Sequence, residues 1–192
     1  MLTNVSVLMV PGWKGSGPAH WQSVWEQRHL SFRRVEQRDW DRPRRTEWVR
    51  TLERSVAISE KPVVLVAHSL GCLTVAHWAQ QTRRAHRVAG ALLVAPPWLS
   101  SGTATDALRD FSPMPLRRVP FASTLVSSEN DPYIKTVEAI ALSEAWNSDF
   151  VSLGHAGHIN AEAGYGEWPQ GERLLWRFMR EAESRRVSVP EG

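Results

Sequence analysis

Six short apolar runs divide the chain, and between them apolar positions recur at helical spacing. The run 63–67 is apolar without interruption, as expected of a strand buried on both faces of a parallel sheet. The runs 5–10, 91–95, 122–127 and 150–153 read as further strands. The run 32–37 is more polar and reads as a strand near a sheet edge. Helices are expected over 19–29, 46–58, 72–80, 134–146 and 171–184. In the first, Trp21 and Trp25 share one face and read as core. In the second, Thr46 reads as the N-cap, with Trp48, Val49, Leu52 and Val56 inward. In the third, Leu73, Ala76 and Ala79 form the apolar side. Strand and helix in alternation predict a doubly wound, three-layer α/β/α domain with a mostly parallel sheet of about six strands. One domain is expected over 1–186, with a frayed tail at 187–192.

Residues 96–120 break the alternation. They are rich in Ser, Pro and Thr, with Trp98, Leu99, Phe111, Met114 and Leu116 interspersed. A loop this long is usually functional or lid-like, and a short helix is expected over 105–110.

Composition narrows the function classes. The 192 residues carry 23 basic and 20 acidic side chains, a formal net charge of +3. The arginines come as separated pairs, such as Arg33-Arg34, Arg44-Arg45 and Arg83-Arg84, flanked by acids. That pattern reads as solvated faces and argues against a nucleic-acid partner. A single cysteine, Cys72, excludes an internal disulfide and a cysteine-based metal cluster, and reads as a small buried apolar residue. No charged segment followed by a long apolar stretch opens the chain, and no window of about 18 apolar residues occurs. A cytoplasmic protein with no membrane partner is the expectation.

The candidate chemistry sits just after strands. Ala67-His68-Ser69-Leu70-Gly71 follows the central apolar run and precedes a helix. A strand, a tight turn carrying serine and a helix make a nucleophile elbow, here with Ala67 at the first glycine position of Gly-x-Ser-x-Gly. The competing role for Ser69 is a helix cap. After the fifth strand comes Ser128-Glu129-Asn130-Asp131-Pro132, where Asp131 is otherwise only an Asp-Pro turn residue. After the sixth comes Gly154-His155-Ala156-Gly157-His158. Glu129 competes with Asp131, and His155 with His158; Gly157 gives His158 the tighter approach. Ser, Asp, His is the chain order of α/β-hydrolases. A serine hydroxyl needs a base, an imidazole can supply one, and a carboxylate orients the imidazole. The glycine-rich loop 11–18 lacks the ending of a P-loop and the spacing of a dinucleotide site. Its use is an oxyanion hole: the Trp13 N–H beside the Leu70 N–H, with Gly12 allowing close approach. One such donor is worth ~3 kcal/mol of barrier. His20, His77 and His86 read as surface or satisfied histidines at helices, and His68 as packed under the turn. His155-x-x-His158 on a loop is too little for zinc, so no metal site is expected.

Val10-Pro11-Gly12-Trp13 with His20-Trp21, then 66–72, Ser128-Glu129-Asn130-Asp131-Pro132 and Gly157-His158-Ile159-Asn160, resemble the compact YdeN-like, retinoblastoma-binding-protein-9 serine hydrolases. The likeness spans residues 4–180. It implies a minimal α/β-hydrolase fold without a large cap domain, a triad of Ser69, Asp131 and His158, and Pro11-Gly12-Trp13 on the oxyanion side. The family's Leu-x-Cys-x-Glu segment is here Leu70-Gly71-Cys72-Leu73-Thr74, with Thr in place of Glu, which argues against pocket-protein binding. The expected activity is hydrolysis of small carboxylic esters, without metal or organic cofactor. Gly12, Trp98, Leu99 and Phe111 are the candidate substrate contacts. The same residues would serve a thioesterase or amidase, and the fold alone would serve a non-catalytic binding module. Monomer and homodimer are both open.

Overall fold

The computed structural model describes residues 5–99 and 107–187. Among them, six strands form one parallel sheet: β1 (Ser6–Val10), β2 (Phe32–Arg34), β3 (Val63–His68), β4 (Val88–Val94), β5 (Ser123–Ser127) and β6 (Asp149–Ser152). Their order is β2-β1-β3-β4-β5-β6. Five helices lie between and after them: α1 (Trp21–Arg28), α2 (Arg45–Ala57), α3 (Leu70–Ala79), α4 (Thr136–Trp146) and α5 (Pro169–Val187).

Successive residues of a strand face opposite sides of the sheet. Val7, Met9, Val64, Val66, Leu92 and Val94 therefore pack with Trp21 and Trp25 of α1 and Leu175 and Phe178 of α5. Leu8, Val10, Val63, Leu65, Ala67, Ala91 and Leu93 pack on the other side with α2, α3 and α4. Both faces are covered, which is why the central strands are apolar at every position rather than at every second one. The result is the expected α/β/α architecture, with no large cap domain among the described residues.

Several boundaries differ from expectation. The β2 ladder stops at Arg34, with one further bond from Val35 N–H to Met9 O at 2.9 Å. The edge position was expected; the length was not. Thr46 is not the N-cap of α2. Arg44 holds that position without a side-chain cap, and the carboxylate of Asp110 accepts from Arg45 N–H at 2.7 Å. The cap comes from a loop 65 residues away. Within the expected helix at 105–110, residues 105 and 106 lie outside the described residues, and the chain then makes only a 3₁₀ turn at Arg109–Phe111. Val187 ends α5, and the rest of the expected tail lies outside the described residues.

Candidate active site

The sheet brings the ends of β3, β5 and β6 to one edge, where open α/β sheets bind ligands. At the end of β3 the chain turns sharply into α3. Ser69 takes φ 54° and ψ −125°, a region few non-glycine residues occupy. Its N–H donates to Val94 O at 2.9 Å, which holds the turn on β4. Ser69 sits at the N-cap of α3 but makes no capping bond with its side chain. The hydroxyl points elsewhere: Oγ lies 2.9 Å from His158 Nε2.

His158 Nδ1 lies 3.0 and 2.9 Å from the two carboxylate oxygens of Asp131. A carboxylate only accepts, so the ring proton is on Nδ1 and the Nε2 lone pair faces the serine hydroxyl. The Asp131 side chain is wholly shielded from solvent, and that of His158 is 10 % exposed. Asp131 also makes the turn that Asp-Pro suggests, its Oδ1 accepting from Tyr133 N–H at 2.9 Å. The two roles coexist. The competing residues are turned away: Glu129 accepts from Ser152 Oγ at 3.0 Å, and its other oxygen is 4.0 Å from the exposed His155.

The two loops that carry Asp131 and His158 are tied together. Asn130 Oδ1 accepts from Gly157 N–H at 2.8 Å, Ser128 Oγ from Ala156 N–H at 2.9 Å, and Gly154 O from Glu129 N–H at 2.8 Å. Sequence reasoning misses the roles of Ser128 and Asn130; the Ser-x-Asn spacing before Asp131 is the available signal. It also misses Tyr133. Its ring is 56 % exposed and meets the His158 ring edge-on, with centroids 4.5 Å apart.

The glycine-rich loop closes the other side. A Cβ on Gly12 would stand 2.8 Å from Ser69 Cβ and 3.1 Å from Leu70 N, so this loop lies directly against the elbow. On Gly71 it would stand 2.0 Å from Val10 O, so α3 starts against the end of β1. Trp13 is anchored by its indole N–H on Asp41 O at 3.0 Å, and Lys14 N–H donates to Trp40 O at 2.9 Å. Ser16 is held in turn: Gln22 Oε1 accepts from its hydroxyl at 2.6 Å, and its carbonyl accepts from Arg34 at 3.0 Å. The first N–H groups of a helix have no partner within it, so Leu70 N–H opens toward this junction.

The substrate contacts need correction. Phe111 is fully buried between Trp48 and His77, with ring centroids 5.8 and 6.1 Å away, and belongs to the core. Leu99 is also a core residue, with its N–H on Met114 Sδ at 3.4 Å. Trp98 is half-buried, and its N–H donates to Tyr133 O at 2.9 Å, beside the site. His20 is no surface histidine: it is buried, and its Nδ1 caps α1 by accepting from Gln22 N–H at 3.2 Å. Leu70, Gly71, Cys72, Leu73 and Thr74 are all buried. Burial pushes the Cys72 thiol far above its usual range, so it is no nucleophile.

The arrangement can pass a proton from a serine hydroxyl to an imidazole held by a carboxylate. Among the described residues, no group of three or more His, Cys, Asp or Glu side chains could hold a metal ion.

Comparison with known proteins bears on the fold and the family. A YdeN-like hydrolase of Pectobacterium atrosepticum is 32 % identical over 93 % of this chain and 92 % of its own, with a TM-score of 0.83. The ydeN gene product of B. subtilis is 21 % identical over 93 % of this chain and all of its own, with a TM-score of 0.75. The type II thioesterase BorB, from the borrelidin biosynthetic cluster, shares the fold at 18 % identity, covering 93 % of this chain and 94 % of its own, with a TM-score of 0.63. A search of curated protein sequences returned no match. The serine hydrolase family matches residues 7–177, nearly the whole chain. The chain belongs to the serine hydrolase family and has the α/β-hydrolase fold.

Proposed function

We propose that this hydrolase cleaves small carboxylic esters through an acyl-Ser69 intermediate. The observation that carries the reading is the unbroken row from the Asp131 carboxylate through His158 to Ser69 Oγ, with separations of 2.9 to 3.0 Å.

Ser69 Oγ attacks the ester carbonyl carbon as His158 Nε2 takes its proton. The carbonyl electron pair moves to oxygen, which accepts hydrogen bonds from Leu70 N–H and Trp13 N–H. The imidazolium is stabilised by Asp131, which stays a carboxylate. The intermediate collapses, the C–O bond to the alcohol breaks, and the leaving oxygen takes the proton from His158. Water then gives a proton to His158 and attacks the acyl carbon. The second intermediate expels Ser69 Oγ, which recovers its proton, and the carboxylic acid departs. These steps need no metal ion and no organic cofactor.

A chain-length series of p-nitrophenyl esters tests this. Ser69→Ala and His158→Ala are each expected to lose at least ~10³-fold in kcat. A fluorophosphonate probe is expected to label the wild type and not Ser69→Ala. Equal labelling of the two overturns the nucleophile. Activity kept by His158→Ala and lost by His155→Ala moves the base to His155.

A further inference from the structure

His158 sits in a strained turn. Gly157 before it has φ 56°, and Ile159 after it has φ 48°. A β-branched residue at positive φ is a steric outlier and persists only where its surroundings hold it. Two ring N–H groups do so. The carbonyl of His158 accepts from His68 Nε2–H at 2.9 Å, and the next carbonyl, Ile159 O, accepts from Trp21 Nε1–H at 2.9 Å. The donors belong to the end of β3 and the start of α1.

The rings form one cluster. His20 meets His68 edge-on with centroids 4.7 Å apart, His68 is tilted against His158 at 4.9 Å, and Trp21 meets His68 edge-on at 6.0 Å. His20 Nδ1 is taken by Gln22 N–H, which puts its proton on Nε2, and that atom is buried without a hydrogen-bond partner. An unpaired buried donor costs stability, so its presence in this cluster calls for a role.

We propose that His68 and Trp21 clamp the two carbonyls at His158 and are positioning residues for the base, with His20 supporting His68 from behind. The inference rests on the Ser69–His158–Asp131 reading.

Burial first, then the charges of neighbours, keeps His68 far below the usual imidazole range. Burial likewise lowers His20 to about 3, aided by Arg34 and His158. The groups facing His68 are thus His20 before α1 and His158 after β6, with Arg34 of β2 acting on His20. Both buried rings stay neutral when His158 takes up a proton. The His68 donor is therefore present throughout the cycle, and no like charge opposes the imidazolium.

The test pairs kinetics with imidazole ¹⁵N NMR. His68→Phe keeps an aromatic ring of similar size and removes the donor; Trp21→Phe removes the second donor and keeps an aromatic ring, a smaller one. Each is expected to lower kcat by roughly 10- to 100-fold, the cost of about 1 Å of misplacement, with KM changed less than about threefold. His68→Gln, whose amide N–H can reach the same carbonyl, is expected to regain at least about fivefold over His68→Phe. In the wild type, His68 is expected to keep its Nε2–H tautomer from pH 5 to 8. In His68→Phe the acidic limb of the kcat/KM profile is expected to move. Unchanged kcat in His68→Phe, an equal loss in the Gln and Phe variants, or an acidic limb that does not move overturns the clamp. Ser69→Ala kept at wild-type activity would overturn the ester-hydrolase reading instead, while the NMR arm still reads the clamp.

Discussion

Gly12 and Gly71 show how little space two single residues leave around Ser69. A Cβ on Gly71 meets the Val10 carbonyl oxygen, which is backbone in the middle of the core. One on Gly12 meets Ser69 Cβ and Leu70 N, at the surface of the site. The first clash must move α3 off β1; the second need only push the loop 11–18 away from the elbow. Gly71→Ala is therefore expected to lose about 3 kcal/mol or more in urea unfolding, at the upper end of overpacking costs. Gly12→Ala is expected to stay within about 1.5 kcal/mol of wild type yet lose at least about tenfold in kcat on p-nitrophenyl acetate. A Gly12→Ala variant as active as wild type would detach this loop from the oxyanion. The glycine after Ser69 is legible in the sequence as motif, and its reason lies in the parallel pairing of β1 with β3, which sets the end of β1 against the start of α3. Ala67 in place of the first glycine is fully buried at the end of β3. Asp131 is both turn former and histidine partner. In the sequence these compete as two roles, because a sequence cannot show that one carboxylate serves two donors at once.

The alternation of strands and helices carries the fold because both faces of the sheet are covered and every central strand is apolar throughout. Where elements are fixed from far away, the sequence is silent. The start of α2 is the clearest case. Thr46 is exposed, while Asp110 reaches over from the 3₁₀ turn to Arg45 N–H. The loop around Asp110 is strapped down at further points: His77 Nε2–H donates to Phe111 O at 2.9 Å, Arg45 to Ser112 O at 3.1 Å and Trp146 Nε1–H to Pro115 O at 2.7 Å. Residues 107–120 thus form a side wall bound to α2, α3 and α4 rather than a free lid, and Phe111 is core for the same reason. Trp21 and Trp25 are core as their spacing predicts, yet their indole N–H groups also hold Ile159 O and Glu167 O, a function invisible to helical periodicity. At this scale, Asp110→Ala is expected to lose about 1 kcal/mol, a typical N-cap cost, in urea unfolding. Thr46→Ala is expected to change stability by less than about 0.5 kcal/mol, as for other exposed positions. The reverse ranking would return the cap to Thr46.

Across the whole molecule, two buried histidines and a half-buried one set how the fold meets acid. His20 precedes α1, His68 ends β3 and His77 lies in α3, so they span both faces of the sheet. Burial is the main cause that lowers each of them. For His77 it is opposed by the bond to Phe111 O and by Asp110, and aided by Arg45. In the unfolded chain these rings take up protons near 6.5; in the folded chain His20 does so only at about 3. Between those values the unfolded state binds more protons, so stability rises with pH there. It is fully present above 6.5 and is lost as pH falls toward 3. Each histidine wholly inside the window contributes up to ~1.4 kcal/mol per pH unit. The carboxylates with lowered values act later: Glu53 is opposed by burial but is bonded by Thr82, Trp78 and Arg84, and Asp39 accepts from Arg42 and Asp41 N–H. Their stabilisation is lost only as pH falls below the ordinary carboxylate range. Urea unfolding followed from pH 8 to pH 4 is therefore expected to show a plateau above about pH 7 and a decline that starts near 6.5, before the loss from Glu53 and Asp39 sets in. His20→Gln, which removes one of the three groups, is expected to make that decline shallower between pH 6 and 5, whatever it does to stability on the plateau. A free energy that stays level from pH 7 down to 5 would mean that the buried rings accept protons in the folded state, and the neutral ring cluster beside His158 would fall with it.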